Sequence, residues 1–161
     1  MKSLMRQSKR WGAIQRIDRA LVRIRRSQTK RTIGRLMERE LGKCFSIAQS
    51  VVVDALDDLS AFAGEKPSVG MVAEYLGIDP SRASRLVADA IRGGYVKRVA
   101  SQNDGRRTGL ELTAAGGKLL MTASRFRKRI FSKAMAGWSD HERDEFARLL
   151  TKFTESHSQL R

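Results

Sequence analysis

The sequence predicts a mainly α fold carrying one small β hairpin between helices. Three observations predict it. Apolar residues recur at spacings of three and four over most of the 161 residues. One stretch, residues 95–113, instead reads as two strand-like runs around an Asp104-Gly105 turn. Serine, aspartate and threonine caps, with glycine stops, fall between the periodic segments.

Taken in order, Ile14, Ile17, Leu21 and Ile24 form a helical apolar stripe closed by "RIRR". "SQT" at 27–29 interrupts it, and Ile33, Leu36, Met37 and Leu41 resume it up to Gly42. This region is one long helix bent near Ser27, or two helices in series. Ser46 caps a helix through "IAQSVVVDALDDLSAFA", after which Gly64 and Pro67 punctuate. Ser68 opens the short helix "VGMVAEYL", stopped by Gly77. Only "GID" separates it from a helix capped by Asp79, with Pro80 in the first position, that runs to Arg92 and halts at Gly93–Gly94. Two short helices joined by a brief turn containing glycine make a helix-turn-helix.

"YVKRVAS" (95–101), with Tyr95, Val96 and Val99 as its apolar members, and "TGLELT" (108–113) make the hairpin, with a basic tip "QNDGRR". A hairpin directly after a helix-turn-helix is a wing. Thr113 caps a long section in which Leu119, Ala123, Phe126, Ile130, Ala134 and Trp138 keep helical spacing. Ser139 and Glu142 form a capping box, and Phe146, Leu149, Leu150 and Phe153 make the last stripe. Three regions result: 1–45, a basic N-terminal helical region; 46–113, the winged helix-turn-helix; and 114–161, C-terminal helices. The long flanking helices carry more apolar stripe than one small chain can cover, which predicts a homodimer through the N- and C-terminal regions.

Charge narrows the function. The chain has 32 Lys and Arg against 17 Asp and Glu, a net +15, which predicts a polyanionic partner. Residues 1–43 alone hold 14 basic and 3 acidic side chains. A charge run on an amphipathic helix is by default a solvated face, although one of this size adds phosphate attraction. No signal-peptide core and no long apolar run occurs, so a cytoplasmic protein with no membrane segment is expected. The single Cys44 reads as a buried, inert thiol rather than a redox switch. His141 and His157 do not have metal-ligand spacing. No phosphate loop, catalytic triad or metal dyad appears, and neither an enzyme nor a bound cofactor is expected.

The run "SVGMVAEYLGIDPSRASRLVADAIRGGYVKR", then "DGRRTGLELTAAGGKLL", then "GWSDHERDEFARLLTKF", resembles the MarR (multiple antibiotic resistance regulator) family of bacterial winged-helix transcription factors over residues 11–155. The most specific piece is the wing signature Asp104, Arg106, Leu112, Thr113 and Gly116. Two features depart from the family pattern: a longer, more basic N-terminal region, and Gly109 where a β-branched residue or leucine is common. The resemblance implies a homodimer that binds a pseudo-palindromic operator in double-stranded DNA. It also implies a repressor released by a small aromatic ligand of unspecified identity.

Candidate DNA-contacting residues follow from the motif. A recognition helix enters the major groove by its N-terminal turns. There Ser81, Arg82, Ser84 and Arg85 supply donors, while Ala83, Leu86, Val87 and Ala90 turn inward. Arginine reads guanine through O6 and N7, worth roughly 1–3 kcal/mol per bidentate contact. Arg106 and Arg107 on the wing tip suit a narrow minor groove, with Asp104 orienting Arg106. Lys97 and Arg98 on the first strand, and Lys66 and Ser68 at the start of the helix preceding the recognition helix, are candidates for phosphate. A competing class is a basic winged-helix RNA- or ribosome-associated protein. Only 6% aromatic residues, with no stacking platform, argues against it.

Overall fold

A computed structural model describes residues 2–29, 32–41, 46–62, 66–100 and 108–159. The element order is α1 (Lys2–Thr29), α2 (Thr32–Leu41), α3 (Ile47–Phe62), α4 (Val69–Leu76), α5 (Pro80–Arg92), β1 (Val96–Ala100), β2 (Thr108–Leu112), α6 (Ala114–Ala134) and α7 (Asp140–Ser158). Among the described residues the fold is mainly α with one two-stranded antiparallel sheet. The first periodic region is helical over Lys2–Thr29 and Thr32–Leu41, α1 and α2. Gly42, Cys44 and Gly64 lie outside the described residues.

The chain forms two compact units, Met1–Ala123 and Ser124–Arg161. The first is built on Val52, Val53 and Leu56 from α3, Val72 from α4, Val87 and Ala90 from α5, Val96 from β1 and Leu110 from β2. Burying each valine or leucine contributes about 1.5–3 kcal/mol. The apolar positions of α3, α4 and α5 recur at three and four, so each helix offers one face and the three pack on each other.

Local chemistry fixes the joints. Ser68 Oγ accepts from the Met71 N–H at 3.3 Å and caps α4. Gly77, at φ +62°, ends that helix in the left-handed conformation that other residues adopt at a cost. Strand register pairs Val96 with Leu112, Arg98 with Leu110 and Val99 with Gly109. Val96 and Val99 therefore point to opposite faces, and only Val96 is fully buried. The edge of β2 is closed by the segment before α4, where the Leu110 N–H donates to the Pro67 carbonyl at 2.8 Å. A Cβ on Gly109 would lie 2.5 Å from Lys66 Cβ, which accounts for glycine in the middle of this strand.

Thr113 joins the wing to α6. Its hydroxyl donates to the Gly94 carbonyl at 2.7 Å and accepts from the Gly116 N–H at 3.0 Å. A Cβ on Gly116 would sit 2.1 Å from the Tyr95 carbonyl oxygen, so the start of α6 lies directly on the entry to β1.

In the second unit the capping box forms as the sequence predicts. The Glu142 N–H donates to Ser139 Oγ at 3.3 Å, and the Ser139 N–H donates to Glu142 Oε2 at 2.7 Å. That backbone donor, with the Ser139 hydroxyl, holds the Glu142 carboxyl below the usual range. Trp138 meets Phe146 edge to face, centroids 5.3 Å apart.

Candidate nucleic-acid interface

The geometry of α5 decides what the helix-turn-helix can present. Asp79 Oδ1 accepts from the Arg82 N–H at 2.8 Å, and Pro80 takes the first turn. Ala83, Val87 and Ala90 are buried against the core, and Leu86 packs against it partly exposed. The helix is thereby held in one rotation, and Ser81, Arg82, Ser84 and Arg85 are all exposed, as the spacing predicts. Arg85 Nε donates to the Ser81 carbonyl at 3.4 Å, leaving the terminal guanidinium nitrogens for a ligand.

Further along the same face, Asp89 pairs with Arg92. The carboxylate one turn beyond Arg85 is thus already engaged. Gln49 Nε2 donates to the Asp89 carbonyl at 3.2 Å and ties α3 to the middle of α5. The Asp89–Arg92 pair is readable as an i,i+3 spacing. The Gln49 contact joins residues far apart in sequence and leaves no local signal.

The wing and the segment before α4 place the remaining candidates. Lys97 Nζ and Lys66 Nζ approach Glu111 at 3.9 and 3.5 Å. One carboxylate thus sits between two exposed lysines, an arrangement the sequence reading missed because Lys66 meets β2 only in the fold. Arg98, across from Leu110, is exposed. Ser68 spends an oxygen lone pair on the Met71 cap and keeps its hydroxyl hydrogen to donate. Asp104, Arg106 and Arg107 lie outside the described residues.

The family model described as "MarR family" matches residues 52–107, from α3 through the hairpin tip. Over that stretch, about a third of the 161 residues, the chain is similar to the MarR family. Among solved structures, a MarR family protein from Bacillus stearothermophilus matches with a TM-score of 0.68 at 21% identity, over 86% of this chain and 91% of that one. The S. aureus MepR–DNA complex matches with a TM-score of 0.59 at 18% identity, over 84% and 93%. S. aureus MepR bound to ethidium bromide matches with a TM-score of 0.54 at 19% identity, over 81% and 94%. The comparison with curated proteins gives no match. The structural likenesses show the fold that the chain shares with those structures, a winged helix. Among the described residues no helix is long and apolar enough to cross a membrane, and no group of three or more His, Cys, Asp or Glu is placed to hold a metal ion.

Proposed function

We propose that the chain is a homodimeric repressor that reads a pseudo-palindromic operator and leaves it when a small aromatic effector binds. The observation that carries this reading is the solvent-facing start of α5, where Ser81, Arg82, Ser84 and Arg85 are exposed around a capped helix N-terminus. Such a helix end attracts phosphate, and its arginines have the reach and fork geometry for guanine. Two copies related by a twofold axis would set their α5 helices about 34 Å apart, matching half-sites one duplex turn apart. Arg106 and Arg107 would hold the flanking minor grooves, with Asp104 orienting Arg106; Lys97, Arg98, Lys66 and Ser68 would bind backbone. Release by an aromatic ligand is supported by the likeness of fold to MepR, solved with ethidium bromide.

A gel-shift titration on the chain's own promoter tests the reading. Arg85→Ala is expected to narrow the gap between operator and scrambled duplex by about 100-fold, the loss of one bidentate base contact in each half-site. Arg106→Ala is expected to weaken both duplexes together. Unchanged operator affinity in both variants, or tighter binding to a structured RNA than to the promoter, would sink it.

A further inference from the structure

A strongly charged surface outside the winged helix lies on α1. Arg16, Arg19, Arg23 and Arg26 are exposed and follow one another at spacings of three, four and three. Ile14, Ile17, Leu21 and Ile24 have the same spacing two residues earlier, and all four are at least 39% exposed. Two residues turn an α-helix by about 200°, so the arginines form a stripe on the side opposite the apolar one. We infer that this stripe is a second DNA-binding surface, one that holds duplex phosphates without reading sequence. The inference rests on the reading above that duplex DNA is the chain's ligand.

Three features of α1 point to a polyanion. First, no carboxylate stands three or four residues from any of the four arginines; the neighbours at those spacings include the other arginines themselves. Elsewhere the chain pairs helical arginines with acids at that spacing: Arg92 with Asp89, Arg143 with Asp140, Arg148 with Glu145. The α1 stripe thus carries like-charge repulsion that an external anion relieves. Second, the stripe runs about 15 Å along the axis. Over that length a duplex presents several phosphates, one charge per about 1.7 Å. Third, guanidinium forks match phosphate oxygens bidentately.

An anionic membrane fits less well. A helix lying on a bilayer buries its apolar face in the lipid. Here that face, Ile14, Ile17, Leu21 and Ile24, is the one a second copy of the chain would cover, which leaves the arginine side for a polyanion. The back-to-back arrangement suits an apolar partner on one side and a duplex on the other.

The test is the salt dependence of full-chain binding to a scrambled duplex, compared with the variant R16Q/R19Q/R23Q/R26Q. Glutamine keeps helix propensity close to that of arginine. Four lost phosphate contacts flatten the slope of log Kobs against log salt by about 3.6. The unchanged chain would then lose about 150-fold more affinity than the variant between 50 and 200 mM salt. The matching four-lysine variant is expected to keep the slope, and the operator-to-scrambled ratio is expected to stay the same in both. An unchanged slope in the glutamine variant overturns the proposal, as does a loss seen only on structured RNA or on phosphatidylserine vesicles. Failure of the operator reading would look different: a ratio of one in the unchanged chain, with the slope effect intact.

Discussion

At the scale of single residues, the contact between Tyr75 and Asp58 has a chemistry that changes measurably with pH. The Tyr75 hydroxyl donates to the Asp58 carboxylate and so joins α4 to α3. That hydrogen bond, then partial burial, then the charges of Asp58 and Asp54 push the Tyr75 pKa up to about 12. A raised folded-state value means the contact's contribution is whole below pH 10, the ordinary tyrosine value, and is lost as pH rises through about 12. In an NMR titration of the tyrosine ring carbons, Tyr75 is expected to remain a phenol at about pH 11, and in Asp58→Ala to be mostly ionised there. A midpoint near 10 in the unsubstituted chain would refute the assignment. Neither this pair nor the two close-approach glycines could be read from the sequence. Gly109 and Gly116 look like breaks in a strand and a helix until Lys66 and the Tyr95 carbonyl are brought against them.

At the scale of elements, the caps were the most legible feature because their partners sit within three residues. Asp79, Ser139 with Glu142, Ser68 and the stop at Gly77 all act where the sequence places them. The faces of α5 were legible for a related reason: Ala83, Val87 and Ala90 recur with the helical period, and that forces Arg82 and Arg85 outward. The wing was less so. Two apolar residues three apart cannot share a strand face, and only the register with β2 shows that Val96 is the inward one. The site depends on the Asp79 cap, since the same carboxylate that starts the helix fixes the backbone of Arg82. Asp79→Ala is expected to cost about 1 kcal/mol of stability, read as a lower urea midpoint, and to weaken operator binding. Asp79→Ser, which also caps, is expected to recover both. Full affinity in the alanine variant would separate the cap from the site.

At the scale of the whole molecule, the unanswered demand is apolar surface. Ile14, Ile17, Leu21 and Ile24 in the first unit are each at least 39% exposed, as are Phe146, Leu149, Leu150 and Phe153 in the second. Stripes of this kind mark association sites rather than tolerated surface. Completing the burial of eight such half-covered side chains would contribute about 1 kcal/mol each per copy. For two copies that is about 16 kcal/mol, set against an association cost of about 4–15 kcal/mol. A dimer that holds at micromolar concentration is the expected result, at twice the 18.1 kDa chain mass in sedimentation equilibrium. A twofold axis doubles the effect of every substitution. Leu149→Glu would lose about 2 kcal/mol in each copy, or about a thousand-fold in Kd, and shift the mass to one chain. Leu149 is already 47% exposed, so the variant should keep the helicity and urea midpoint of the isolated chain. Because a pseudo-palindrome is held by two α5 helices at once, operator affinity should fall with the dimer. A variant that stayed dimeric would show that the α7 stripe is covered by something other than a second copy.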